Sequence, residues 1–321
     1  MQLYLPTPDQ ELLAAMRLIN ILLLFGSLAA IAACIPAYFS ILVWKAPEVL
    51  QDAAAPDPTK GAYIFAMAGC AGCHTRKGGK PLAGGREIKS PFGVFVSPNI
   101  TPDTKTGIGG WSETDFIRAM TIGLSPEGRH YYPAFPYTSY TQMTLADIRD
   151  LWAHLKTFPP VASVNGQHKL DFPFSIRPGV GLWKLLFLDE GRYRPNPAKS
   201  KAWNRGAYIV SGPAHCGECH TRRNILGGLR NSVQLAGSPG WGDGERKDGA
   251  APNITPHQEG GIGKWSADEV VFALQTGVTP TGDVIGGEMG EVISNSTAKL
   301  TDEDRRAIVG FLRSLPPKAL E

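Results

Sequence analysis

Residues 205–228 are RGAYIVSGPAHCGECHTRRNILGG, and the organisation of the whole chain can be worked out from this segment. Its centre is the pentapeptide Cys216-Gly-Glu-Cys219-His220, the Cys-x-x-Cys-His signature of covalent haem attachment. Two thiols three positions apart can each add to one vinyl group of the same porphyrin, and the adjacent histidine can then ligate the iron. The pattern therefore predicts a c-type haem bound through Cys216, Cys219 and His220.

A second copy of this motif lies upstream. Residues 60–85, KGAYIFAMAGCAGCHTRKGGKPLAGG, contain Cys70, Cys73 and His74 in the same spacing. Both copies follow the string Gly-Ala-Tyr-Ile and precede Thr-Arg, which chance would not repeat. We therefore predict two covalently bound haems c as cofactors, with His74 and His220 as the proximal iron ligands.

Two other uses of paired cysteines fit the sequence less well. The two pairs of a four-cysteine zinc site usually lie some 15–20 residues apart, whereas Cys73 and Cys216 are separated by 143 positions. A thioredoxin-like redox pair needs a surrounding βαβ pattern, and the sequence shows none. Haem attachment is therefore the interpretation that both motifs favour.

Composition and charge narrow the class of protein. At about 150 residues per domain, a chain of 321 residues predicts two to three domains. A net charge of +3 is too small to indicate a nucleic-acid partner. Of the five cysteines only Cys34 lies outside the motifs, so no disulfide framework is predicted. The 37 glycines and 26 prolines suit a loop-rich fold around a large prosthetic group.

An uncharged N-terminal segment predicts a membrane anchor. Leu18–Trp44 comprises 27 residues without a charge, flanked by Arg17 and Lys45. As a helix it would be roughly 40 Å long, enough to cross the bilayer core with some tilt. The alternative is lipidation of Cys34, because the residues before it resemble a bacterial lipoprotein cleavage box. In both interpretations the rest of the chain lies outside the cytoplasm.

The remainder of the chain is an internal duplication. The strings SPNITPDTKTGIGGWSETDF and APNITPHQEGGIGKWSADEV place Asn99 opposite Asn253 and Trp111 opposite Trp265, each pair 154 positions apart. A repeat of this length indicates two copies of a domain, since solenoid repeats are only 20–50 residues long. We predict an anchor over residues 1–45, homologous domains over 46–165 and 201–321, and a connector over 166–200.

Each repeat is predicted to be helical. The expected helices are Lys60–Ala68, Ser112–Ile122 and Thr144–Phe158 in the first repeat, and Ser266–Thr276 and Thr301–Leu315 in the second. The last four begin at a Ser or Thr N-cap, with Asp or Glu three residues later. The Gly/Pro-rich loops between them show no alternating strand pattern. This order resembles that of a class I cytochrome c, so we expect a mostly α fold, with an N-terminal transmembrane helix followed by two tandem class I cytochrome c domains.

The connector is unusually apolar for a linker. Residues 164–200 include Phe172, Phe174, Trp183 and Phe187. We predict that this segment packs across both repeats and fixes the distance between the haems. The alternative is an exposed docking patch for a partner subunit.

The sixth iron ligand is predicted separately for each repeat. Met289 lies in the glycine-rich string VIGGEMGEVI and is predicted to ligate the second haem, since Met is a usual partner of the proximal His. The aligned residue in the first repeat is Phe135, which cannot bind iron. Met143, which like Met289 lies 70 residues after the last cysteine of its motif, is predicted instead. The alternatives are His130, an open site, or Met143 as a packing residue only.

Charged residues next to the motifs have two interpretations. Arg76, Arg222 and Arg223 lie two or three positions after the motif histidines. They could pair with haem propionates or acidic partners, or lie solvated on the surface. His215, before Cys216, is interpreted as structural or as a contact to the haem edge.

Three strings, KGAYI…CAGCHT, YYPAFPYTSYTQMT and WNRGAYIVSGPAHCGECHTRRN, resemble the membrane-anchored dihaem and multihaem cytochrome c subunits of bacterial periplasmic dehydrogenases. The resemblance covers essentially everything after residue 55. It implies an electron-transfer protein or a subunit of an oxidoreductase complex, not an enzyme by itself. Many relatives have three haems, a C-terminal anchor, and Met where this chain has Phe135.

The resemblance also implies partners and a location. The expected electron donor is a periplasmic dehydrogenase of alcohols, aldehydes or N-heterocycles, and the acceptors are quinone, a soluble cytochrome or a terminal oxidase. The expected location is the bacterial inner membrane, with the haem domains facing the periplasm. The alternatives are the dihaem subunit of a terminal oxidase, a dihaem peroxidase with one open iron and, last, a gas sensor.

Overall fold

The computed structural model describes residues 16–30, 54–238 and 251–319, in two compact units, Met1–Lys45 and Ala46–Glu321. In the first unit, residues 16–30 form helix α1 with exposed side chains. Within the described residues, no helix combines the length and the apolar content that crossing a membrane requires. The predicted anchor Leu18–Trp44 continues past residue 30, and both its remainder and Cys34 lie outside the described residues.

The second unit is mostly helical, as predicted. Its first half contains α2 (Pro58–Met67), α3 (Cys70–His74), α4 (Glu113–Ile122), α5 (Tyr137–Tyr140) and α6 (Leu145–Leu155). The connector contributes α7 (Gly179–Phe187). The second half contains α8 (Lys201–Ser211), α9 (Gly217–His220), α10 (Ala267–Thr276), α11 (Gly287–Asn295) and α12 (Asp302–Arg313), with 3₁₀ turns at Asn231–Val233 and Thr297–Lys299.

The predicted helix starts are confirmed by their caps. The side chains of Ser112 and Ser266 accept the backbone N–H three residues later, and the acidic residue there returns a hydrogen bond to complete a capping box. Thr144 and Thr301 cap α6 and α12 in the same way, without the return bond. These local contacts satisfy N–H groups that a helix start would otherwise leave free.

A small antiparallel sheet follows the first motif, where the sequence predicted only loops. Strand β1 (Glu87–Ser90) pairs with β2 (Gly93–Val96), and β2 pairs with β3 (Lys169–Leu170) from the connector. That expectation was wrong because strands of two to four residues are too short to display an alternating pattern. The sheet attaches the start of the connector to the first half.

One close helix crossing organises each half. Helix α2 packs across α6, and α8 packs across α12. A Cβ added to Gly61 would lie 1.9 Å from the backbone oxygen of Asp150, and one added to Gly206 would lie 2.0 Å from that of Ala307. Only glycine allows backbones to approach this closely. The crossings thereby hold the ends of α2 and α8, from which the two motifs continue.

The connector helix α7 contacts both halves. Lys184 is 2% exposed, and its Nζ donates to the backbone oxygens of Ile122 (2.6 Å) and Gly123 (2.8 Å) at the end of α4. Trp183 Nε1 donates to the backbone oxygen of Leu226 in the second half (2.8 Å). This agrees with the prediction that the connector packs across both repeats, while the domain boundaries stay predictions. Leu186, on the outer face of α7, is 62% exposed.

The glycine crossing can be tested by substitution. We expect Gly206→Ala to lower the free energy of unfolding by roughly 1–3 kcal/mol, because the new methyl group overlaps the backbone oxygen of Ala307. Gly310→Ala, on the partner helix α12 with nothing within 4 Å of the added Cβ, is the matched control and should stabilise by about 0.5–1 kcal/mol. Denaturant unfolding of the haem-loaded protein measures both, and similar values for the two variants would contradict the crossing.

The buried lysine predicts a pH-dependent stability. Burial lowers the pKa of Lys184 from 10.5 to about 7, whereas an unfolded lysine titrates near 10.4. Between pH 7 and about pH 10 the unfolded state therefore binds more protons, so Lys184 makes the free energy of unfolding rise with pH. We expect Lys184→Met to flatten this rise and the exposed-lysine control Lys60→Met to keep it. Denaturant unfolding of wild type and both variants at several pH values measures this rise. If the pKa of Lys184 were that of an exposed lysine, the free energy of unfolding would rise equally with pH in all three proteins.

Candidate haem sites

Both predicted attachment segments begin with a reversal of the chain after a helix. Gly69 turns the chain after α2 with φ +60°, in the left-handed region that glycine adopts readily. The equivalent residue in the second half, His215, has φ +39°, a conformation that is rare outside glycine. One helical turn then brings the two cysteines and the histidine of each motif together, in α3 and in α9.

The two motif histidines are oriented in the same way. His74 Nδ1 lies 2.9 Å from the backbone oxygen of Pro98, and His220 Nδ1 lies 2.7 Å from that of Pro252. A carbonyl oxygen can only accept, so each Nδ1 carries the proton and each Nε2 keeps its lone pair for a metal. Burial lowers the pKa of both histidines, which favours the neutral, metal-binding form.

The loops that present these proline oxygens are anchored by an asparagine. Asn99 Oδ1 accepts the backbone N–H (2.9 Å) and Oγ1–H (2.7 Å) of Thr101, while its Nδ2 donates to the oxygen of Val161 (2.8 Å). Asn253 makes the equivalent bonds in the second half, at 2.8, 2.7 and 2.6 Å. The repeated Pro-Asn-Ile-Thr string, which indicated duplication in the sequence, therefore fixes the position of the histidine's hydrogen-bond acceptor.

The four motif cysteines form no disulfide bonds. Burial raises the pKa of Cys70 and of Cys216 to about 12, so both thiols are protonated at neutral pH. Among the described residues, no group of three His, Cys, Asp or Glu side chains is placed to hold a metal ion, which gives the zinc interpretation no support. Two free thiols within one turn of a histidine whose Nε2 is available fit a covalently attached haem in each half.

The two attachment segments touch each other. His215 Nε2 lies 3.3 Å from the backbone oxygen of Ala68, two residues before the first motif. The His215 ring also packs edge-on against Tyr140 of the first half, with 5.5 Å between ring centroids. The sites are therefore neighbours at the junction of the halves.

Met289, the predicted ligand of the second haem, lies in a helix, not in the predicted loop. It is the third residue of α11 and is half-buried. Ile293, four residues later on the same face, is 5% exposed and packs beside Gly277 of its own half. The opposite face carries Glu291, which pairs with Arg86 of the first half. This placement turns the Met289 face towards the second half, and its ligand role stays a prediction.

The candidates for the first haem lie in different surroundings. Met143 is fully buried, and its Cγ lies 3.8 Å from the position of a Cβ on Gly212 in the second half. His130 is enclosed by the connector, with Nδ1 3.1 Å from Lys184 Nζ. Phe135 packs against the rings of neighbouring tyrosines. The structure thus associates His130 with α7, and the choice of Met143 stays a prediction.

One residue of the junction was missed from the sequence. Glu218, between the cysteines of the second motif, is 9% exposed and accepts hydrogen bonds from Thr138 Oγ1 (2.7 Å) and Ser139 Oγ (2.8 Å). Arg223, interpreted from sequence as a propionate partner or a surface residue, pairs with Glu218. The available signal was an ionisable residue inside the motif, where the first copy has Gly72.

Comparison with known proteins places these features in a family. The sequence model of the cytochrome c family matches residues 58–159. The chain is 42% identical over 270 residues to a dihaem c-type cytochrome of Cereibacter sphaeroides, covering 81% of this chain and 86% of that protein. It is 40% identical over 269 residues to the fructose dehydrogenase cytochrome subunit of Gluconobacter japonicus, covering 82% and 54%.

A further relative is a nicotinate dehydrogenase subunit of Pseudomonas putida, 40% identical over 308 residues, which cover 92% of this chain and 25% of that protein. The chain thus spans a quarter of the Pseudomonas protein and about half of the fructose dehydrogenase subunit. These relatives confirm the predicted resemblance and the prediction of an electron-transfer protein or oxidoreductase subunit. The chain belongs to the family of c-type cytochromes that includes the dihaem cytochrome of Cereibacter sphaeroides.

Proposed function

We propose that the chain transfers single electrons through two covalently bound haems c, one in each of two tandem cytochrome c domains. The observation that carries this proposal is the contact between the two attachment segments, where His215 lies against the oxygen of Ala68. Electron transfer slows steeply with distance, so a relay needs its carriers close together. The name of the dihaem relative supports the haem count.

The residues of each half have defined tasks. Cys70, Cys73, Cys216 and Cys219 would attach the porphyrins, and the motif histidines would bind iron through Nε2, since their Nδ1 atoms donate to proline oxygens. A haem held by these residues would supply one-electron redox chemistry. Met289 and Met143 are the proposed sixth ligands, and methionine at this position raises the potential. His130 is the alternative for the first haem.

The proposed setting is a membrane-bound respiratory chain. The uncharged segment Leu18–Trp44 would hold the protein at the inner membrane, with the second unit in the periplasm. The relatives are named as subunits of nicotinate, fructose, alcohol and gluconate dehydrogenases, which supports a periplasmic dehydrogenase as the electron donor. Quinone, a soluble cytochrome or a terminal oxidase would accept the electrons.

The ligand assignment predicts a spectroscopic result. We expect two haems per chain by pyridine haemochrome, and Met–iron charge-transfer absorption from both in the oxidised protein. Met289→Ala should lose one contribution and Met143→Ala the other, because each removes the thioether from one iron.

Met120→Leu, a buried methionine of α4, is the matched control and should retain both contributions. Unchanged absorption in Met143→Ala, with a bis-histidine or high-spin EPR signal in wild type, would favour His130 or an open site. One haem per chain would refute the dihaem proposal itself.

The partner assignment predicts a co-purification result. Full-length protein carrying an affinity tag, extracted from native membranes in mild detergent, should bring down a dehydrogenase whose substrate then reduces both haems. Recovery of an oxidase core in place of a dehydrogenase would favour the terminal-oxidase alternative. Peroxide turnover by the purified chain would favour the peroxidase.

A further inference from the structure

Glu218 links the two halves through its carboxylate. It belongs to the second attachment segment, and its two closest hydroxyl donors, Thr138 and Ser139, belong to the first half. The third donor is the guanidinium of Arg223, five residues along the chain from Glu218. A carboxylate that is 9% exposed needs such donors to replace its hydration, and here most of them come from across the junction.

The two hydroxyl donors lie in the segment expected to complete the first haem site. Thr138 and Ser139 form the middle of α5 (Tyr137–Tyr140), between Phe135 and Met143. The backbone N–H of Met143 donates to the oxygen of Tyr140 at 2.9 Å, so α5 and Met143 are joined without a flexible spacer. A shift of α5 would therefore move Met143 as well.

The same arrangement occurs in the opposite direction. Arg86 Nη1 donates to the backbone oxygen of Gly72, inside the first motif, at 2.6 Å and also pairs with Glu291 on α11. Ser296, directly after α11, donates to the oxygen of Met67 at 2.8 Å. Helix α11, which carries Met289, is thus docked on the first attachment segment.

A pair of tyrosines holds the two halves in this register. Tyr63 of α2 donates to Asp304 Oδ2 (2.7 Å) and accepts the backbone N–H of Thr301 (3.0 Å) at the start of α12. Tyr208 of α8, from the other Gly-Ala-Tyr-Ile string, accepts the N–H of Thr144 (3.2 Å) at the start of α6. Each half therefore caps the last helix of the other, so α5 meets Glu218 in a defined position.

We propose that Glu218 is a positioning residue that docks the first haem's ligand segment, residues 135–143, on the attachment segment of the second haem. This inference rests on the proposed dihaem function. Its consequence is that ligation at the first haem depends on a residue within the motif of the second. Two geometric facts carry it: the pair of hydroxyl bonds across the junction, and the rigid link from α5 to Met143.

The test uses Glu218→Gln in the full-length, haem-loaded protein. Glutamine keeps the size of the side chain but loses the negative charge, and its NH₂ group cannot accept a hydrogen bond. The bonds from the hydroxyl donors across the junction therefore weaken. The variant is made in a Met289→His background, where the second haem has no Met–iron absorption and titrates at lower potential. The remaining absorption and the remaining redox wave then belong to the first haem.

We expect Glu218→Gln to weaken or shift the first haem's Met–iron absorption, or its EPR signal, together with its midpoint potential. Glu259→Gln, an exposed carboxylate of the second half paired with Lys264, is the matched charge control and should leave the spectrum unchanged. A potential shift with an unchanged spectrum would mean that Glu218 acts only as a charge, which overturns the proposal. An unchanged spectrum and potential would overturn it too.

A second variant keeps the test decisive if Glu218→Gln does not fold. The double substitution Thr138→Ala and Ser139→Ala leaves the second motif intact and removes two donors from its carboxylate. In the same Met289→His background it should weaken or shift the first haem's Met–iron absorption, as Glu218→Gln does, because residues 135–143 lose the same two bonds. Unchanged absorption of the first haem would overturn the docking. A haemochrome count of one haem per chain would instead refute the dihaem function, which separates the two failures.

Discussion

The architecture depends on two backbone contacts at glycine. Gly61 and Gly206 let the first helix of each half lie directly on the carbonyl groups of its last helix, at a distance that excludes any side chain. The ends of these helices then fix where the chain reverses into each motif. Because cysteines and histidine follow within one turn, a displacement of the crossing would move the whole attachment segment. Close approach of two backbones thus determines where the Cys-x-x-Cys-His motifs are located.

Around this frame the two sites share their inner arrangement and differ where they face each other. Both histidines donate to a proline oxygen held by a Pro-Asn-Ile-Thr turn. At the junction, however, Gly69 is replaced by His215 and Gly72 by Glu218. The second half therefore contributes bulk and charge where the first contributes glycine. Duplication has preserved the orientation of the motif histidines and diversified the contact surface.

The features that could be predicted from the sequence are those that depend on short, local patterns. The motifs, the helix starts at Ser112 and Thr144, and the duplication all depend on residues within a few positions of one another. The β-sheet and helix α11 were missed because short elements have weak patterns, and their stability comes from partners far along the chain. The bond between Ser139 and Glu218 joins residues 79 positions apart, and no spacing rule indicates it.

The reciprocal tyrosine caps have a consequence for assembly. Each half offers both a tyrosine hydroxyl and an acidic helix start, so the surface between the halves is self-complementary, like the isologous interface of a twofold dimer. Two separate copies joined by such a surface would part on dilution. The connector makes their association intramolecular, with an effective concentration set by its length. The paired arrangement is thereby independent of how much protein the cell makes.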